Sequence, residues 1–203
     1  MSAGATFDRV YREIKRRLAE AQFPPGERIE PAHLASELHA SITPVRDALH
    51  RLAGERLVES PEHNGFRMPL LTEAALRDLY AWRGLLLTLA IGRLPKGQPL
   101  RAVVQTEDRE EDQSPTVAPL FVELANATGS PEHSVAVAAL GDRLAPFRLA
   151  EADVLENIAD EAAGIAAILR AGERRELRQA LVRYHRRRGR MTPQILARLH
   201  GQR

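Results

Sequence analysis

The side chains best suited to chemistry lie close together in Ser41-Ile42-Thr43-Pro44-Val45-Arg46-Asp47-Ala48-Leu49-His50-Arg51-Leu52. Thr43-Pro44 reads as a helix start: proline fits the first turn, where its missing N–H costs nothing, and Thr43 can cap the free amides. Helical spacing turns Val45, Ala48, Leu49 and Leu52 inward and leaves Arg46, Asp47, His50 and Arg51 on or near the outer face. A short helix pointed stiffly outward suits a reader of double-stranded DNA. Its chemistry is recognition, not turnover. The chain has no nucleophile elbow, phosphate-cradling glycine loop or metal-ligand cluster, so neither an enzyme nor catalytic residues are expected.

The surrounding elements must hold that helix in place. Phe7, Val10, Tyr11, Ile14, Leu18 and Ala21 share one helical face, and Pro24-Pro25-Gly26 stops that first helix. Pro31 opens a second helix with Leu34, Ala35 and Leu38 apolar, and the helix carrying Arg46 is the third. Leu57-Val58-Glu59 and Phe66-Arg67-Met68 read as two short strands joined through Asn64-Gly65, a strong hairpin signal. Three helices and a hairpin make a winged helix-turn-helix, whose third helix would enter the major groove while the hairpin tip reaches the adjoining backbone or minor groove.

These segments carry a resemblance. Pro24-Pro25-Gly26-Glu27-Arg28-Ile29, Leu34-Ala35, Thr43 through Leu52, Leu57-Val58 and the wing glycine together resemble the GntR family of bacterial transcription regulators over almost all of residues 7–70. The resemblance implies a homodimer that binds an inverted-repeat operator and usually represses transcription until a small metabolite binds the second domain. It points to Ser41, Thr43 and Arg46 at the start of the recognition helix and to His63, Asn64 and Gly65 in the wing as DNA-binding residues. Arg46 is the candidate base contact, because a guanidinium pairs bidentately with guanine. Ser41 and Thr43 could donate to phosphates, and Gly65 permits the turn and a close backbone approach. His50, one turn after Arg46, could reach the groove edge; simple surface exposure is the equal alternative for His50 and His63. Ile42 departs from the pattern. The family commonly has arginine there, and losing such a contact costs about 1–3 kcal/mol. An isoleucine instead reads a thymine methyl or packs against a neighbour.

Leu71-Thr72-Glu73 begins a helix reaching about Arg93, with Leu76, Leu79, Tyr80, Arg83, Leu86, Leu87 and Ala90 in register. Pro95-Lys96-Gly97-Gln98-Pro99 interrupts, and the acidic run Glu107–Asp112 reads as a solvated loop or helix end. Helices are expected at about 117–128, 131–146, 150–171 and 173–187. The stretch Asp78–Arg83 resembles the opening of the all-helical FCD effector domain of the FadR-type GntR subfamily, here in a short, degenerate form; the resemblance continues at Phe121–Pro131 and Glu161–Glu173. Many such domains hold a divalent metal with one aspartate and three histidines. In this register those positions are Ala118, Val122, Ala162 and Tyr184, with His185 one residue off, so no metal and no cofactor are expected. An effector pocket, if retained, would lie within the bundle with Arg83, Arg148 and Tyr184 among its polar lining. Arg83 would engage a carboxylate; a structural ion pair to Asp78 or Glu161 is its equal alternative.

The fold class expected is therefore mainly α: a winged helix-turn-helix over 1–70, an all-helical effector and dimerisation domain over 71–190, and a basic tail over 191–203. Residues 1–70 are neutral overall, residues 71–182 carry −5 and residues 183–203 carry +7, so the polycation lies at the C-terminal end and not in the DNA reader. That end is read as a solvated arginine-rich helix end or a non-specific phosphate attractor. The absence of cysteine excludes disulfides and thiolate chemistry. No apolar stretch suits a bilayer, which gives a cytoplasmic protein with no membrane partner as the expectation. A dimerisation or protein-interaction module that keeps the fold without ligand control is the competing reading.

Overall fold

The computed structural model describes residues 3–61, 65–94 and 117–201. The chain divides into two compact units: one takes in the described residues of 1–72, 142–150 and 196–203, the other those of 73–141 and 151–195. It is mainly helical, with a helix-turn-helix unit followed by a helical domain.

In the first unit, α1 (Ala3–Ala19) packs on α3 (Ile42–Gly54), and α3 packs on α2 (Pro31–Glu37). The inward sets follow the apolar spacing: Val10, Ile14 and Leu18 from α1, Leu34 and Ala35 from α2, and Val45, Ala48, Leu49 and Leu52 from α3 are all buried. Phe7 and Tyr11 pack against this core while staying partly exposed. Tyr11 also donates to Glu55 at 2.7 Å, which ties α1 to the end of α3. The first helix ends before the prolines reach it, because Ala21 takes a left-handed conformation at φ 54°. Within the same unit, Asp142 accepts an ion pair from Lys15 at 2.6 Å.

The strands differ from expectation. β2 (Phe66–Arg67) pairs antiparallel with β1 (Arg28–Ile29), a strand too short to show a period-two pattern, with Ile29 opposite Phe66. The expected partner segment contributes a single bridge, in which Glu59 and Arg67 exchange two backbone hydrogen bonds of 2.9 Å. The tip residues His63 and Asn64 lie outside the described residues, as do Pro95–Pro99 and the acidic run.

The second unit is built around α4 (Glu73–Arg93) and α9 (Arg174–Arg190), with α5 (Val117–Asn126) against α4, and α8 (Ile158–Ala171) against α5 and α9. At Gly84 α4 runs close against α9: a Cβ there would lie 3.0 Å from the His185 ring. α6 (Pro131–Leu144) runs into one turn of 3-10 helix, Ala145–Phe147, and then α7 (Arg148–Val154). The helix expected over 150–171 is broken in two. Asn157 adopts φ 57°, a left-handed torsion that asparagine tolerates better than most residues, so α7 ends and α8 starts anew. Gly172 at φ 82° then caps α8. The stretch read as a basic tail contains α10 (Thr192–His200). Among the described residues no helix is long and apolar enough to cross a membrane.

Candidate nucleic-acid interface

The helix carrying Arg46 begins two residues earlier than a Thr43 cap would set it. Ser41 occupies the N-cap position with extended torsions and makes no side-chain cap hydrogen bond. Thr43, expected to cap, lies inside the first turn. Ser41, Ile42, Thr43, Arg46 and His50 are all exposed on the face opposite the buried Val45, Ala48, Leu49 and Leu52. Ile42 is 46% exposed, so it does not fill a core position.

Arg46 stands apart from most of the unit's cations. Arg16 and Arg17 are held by Glu13, Arg28 by Glu30, Arg51 by Glu55 and Arg67 by Glu59. Arg46 has no hydrogen bond or ion pair among the described residues, which leaves its forked donors available to an external acceptor. His50 presents its ring edge-on to Phe66, with centroids 4.8 Å apart, and so buttresses the wing strand from α3. Gly65 is exposed with φ 70°, the torsion the wing turn requires and one that strains any residue with a Cβ. Ser41, Thr43, Arg46, His50 and Gly65 are thus all surface residues of the first unit.

The second unit holds a different arrangement. Arg188 is 1% exposed yet keeps its charge paired: Nε donates to Glu151 at 2.7 Å and Nη1 to Glu161 at 2.8 Å. Its guanidinium lies 3.4 Å from the Tyr184 ring centroid. The other Glu151 oxygen accepts from the Tyr80 hydroxyl at 2.6 Å, and burial followed by that carboxylate's charge raises the Tyr80 pKa. Arg188 falls within the segment expected to be a solvated basic end, yet its helical phase, on the stripe of Leu177, Leu181 and Tyr184, places it inside.

His185, within the segment read as a solvated arginine-rich helix end, is also buried. Nδ1–H donates to the Leu181 carbonyl at 2.8 Å and Nε2 accepts from Arg83 Nε at 3.2 Å. Both ring nitrogens are used, and Ala118, Val122 and Ala162 bring no donor atom, so these residues do not fit a metal. Of the three proposed pocket residues, Arg83 and Tyr184 are buried in this unit, with Phe121 packed on both, whereas Arg148 is exposed and belongs to the other unit.

Burial, and then the charge of Arg83, push the His185 pKa from 6.5 down to about 3. The unfolded chain therefore takes up a proton before the folded one as pH falls. The stability owed to neutral His185 is complete above pH 6.5 and drains away between 6.5 and 3, by about 1.4 kcal/mol per pH unit. Urea titrations at pH 7.5, 6 and 5 should show this loss, and His185→Asn should reduce it; equal slopes for the two proteins would remove His185 as its source.

The comparisons agree with the geometry of the first unit. Residues 6–68 match the family described as "Bacterial regulatory proteins, gntR family". The N-terminal domain is a GntR-type helix-turn-helix. This chain is 42% identical over 64 residues to the Nta operon transcriptional regulator of Aminobacter aminovorans, a match covering 32% of this chain and 30% of the relative. It is 32% identical over 87 residues to the HTH-type transcriptional repressor GlaR of Escherichia coli (strain K12), covering 41% and 40%. The matched segments span only 30–40% of the curated relatives' own length, and their extent is about that of the GntR-type domain. Beyond that domain the likeness is one of fold. A putative transcriptional regulator GntR from Rhodococcus sp. RHA1 superposes with a TM-score of 0.72 at 17% identity, over 95% of this chain and 98% of that one.

Proposed function

We propose that the chain is a DNA-binding transcription regulator of the GntR family, a repressor that binds an inverted-repeat operator as a homodimer. One observation carries this reading: the unpartnered guanidinium of Arg46, on the exposed face of α3 beside Ser41 and Thr43, within a GntR-type domain. Arg46 reads the base edge, Ser41 and Thr43 hold phosphates, and the wing around Gly65, with His63 and Asn64, follows the adjoining backbone. His50 acts from behind by bracing the wing strand. Ile42 offers a methyl-bearing surface to the groove, where the resemblance to the GntR family implies an arginine.

Residues 71–190 serve as a short FCD-like effector and dimerisation domain of the FadR subfamily, working without a metal, in a cytoplasmic protein. Arg83 and Tyr184 would meet a small carboxylate; the exposure of Arg148 takes it out of that set. The Arg188 cluster favours a second reading, in which the domain does not respond to a ligand. Glu151, Glu161 and the Tyr184 ring already hold the buried Arg188 guanidinium, and Tyr80 takes the second oxygen of Glu151, so the cluster is satisfied from within the domain.

An electrophoretic shift with the DNA upstream of the protein's own gene, across a salt series, tests the regulator reading. A discrete complex that resists competitor DNA is expected. Binding that no competitor distinguishes, with a steep salt slope, would assign the contacts to the basic C-terminal end and overturn it. Thermal shifts against a panel of organic acids then separate the two readings of the second domain.

A further inference from the structure

The helix α4 is apolar on two faces, and the chain covers one of them. Leu76, Leu79, Tyr80, Leu86, Leu87, Ala90 and Ile91 are buried in the second unit. On the other side Trp82, Leu85 and Leu89 are 50%, 62% and 51% exposed, at steps of three and four residues that align them in one stripe. A helix apolar all round is one that is buried all round. Beside the stripe runs an open groove of about 700 Å³, lined by Ala81, Leu85 and Thr88 of α4 and by Val182 and Arg186 of α9.

The ends of the stripe carry opposite charges. Asp78 lies one turn before Trp82 and Arg93 one turn after Leu89, both exposed and neither in an ion pair among the described residues. The pairs Asp78/Arg93 and Trp82/Leu89 share one midpoint, between residues 85 and 86. A two-fold axis through that midpoint, perpendicular to the helix, lays a second α4 antiparallel on the first. It sets Asp78 against the partner's Arg93 and Trp82 against the partner's Leu89, and it brings the two copies of Leu85 side by side next to the axis. A parallel pairing would oppose aspartate to aspartate and arginine to arginine. The charge pattern thus selects one arrangement of one occupant, a second copy of this chain.

We propose that the stripe Asp78–Trp82–Leu85–Leu89–Arg93 is the self-association surface, with two copies of α4 antiparallel about residues 85 and 86. It rests on the homodimer reading and adds to it a face and a register.

Sedimentation velocity on the full chain tests it, with far-UV circular dichroism confirming helix content. The wild type should be a dimer. Leu85→Asp lies beside the axis and acts twice per dimer, so it should yield monomer at concentrations where the wild type is paired. Asp78→Arg and Arg93→Asp should each weaken association, by about tenfold or more. The double variant Asp78→Arg/Arg93→Asp should recover it, because the exchanged charges still meet across the axis. A folded Leu85→Asp that stays dimeric, or a double variant no tighter than the singles, would overturn the surface while leaving the homodimer standing. A wild type that remains monomeric and binds no inverted repeat would overturn the homodimer itself.

Discussion

Arg188→Ala is expected to cost about 3–5 kcal/mol of folding stability at neutral pH, as buried pairs do when one partner is removed. The side chain is 1% exposed and bridges Glu151, itself buried, to Glu161, so its loss strands carboxylates in a site that water reaches poorly. Neutralising the stranded charge should restore part of the loss: Arg188→Met/Glu151→Gln is expected to be more stable than Arg188→Met alone. Urea denaturation of the four proteins, closed as a double-mutant cycle, measures the coupling. If the two substitutions simply added, the Arg188–Glu151 contact would carry no net energy and the cluster would be held by packing.

Arg46→Ala should do the opposite, leaving stability nearly unchanged and removing recognition. Among the described residues the side chain makes no hydrogen bond or ion pair, and the domain's core faces away from it through Val45, Ala48, Leu49 and Leu52. A bidentate base contact is worth about 1–3 kcal/mol, so specific affinity should fall roughly ten- to a hundredfold while binding to random DNA changes little. Titration of a labelled operator at fixed salt, with and without competitor, separates the two effects. Equal loss on both DNAs would make Arg46 a phosphate contact instead of a base reader.

Legibility in the sequence followed length and phase. The inward residues of α3 were apparent because four apolar side chains recur at helical spacing over a helix long enough to show it. Arg28–Ile29 escaped notice as a strand because two residues carry no alternation; only their pairing with Phe66–Arg67 defines them. The break at Asn157 sits in a single torsion within a run whose composition suits helix on either side. Arg188 and His185 depart from the expected solvated end for another reason. Counting charge along the C-terminal run treats its arginines as one solvated group, whereas the position of each residue around α9 decides which face it joins. Arg183, Arg186 and Arg190 on that same helix are indeed exposed.

Gly84 has a consequence for how this protein can change over generations. It leaves only enough room for the His185 ring, and that ring receives the Arg83 guanidinium on its other nitrogen. A Cβ at 84 would press on that ring, and any shift of the ring would bear on its hydrogen bond from Arg83. Positions 84 and 185 are therefore coupled in what they accept, because a side chain gained at 84 needs room that the ring at 185 now fills.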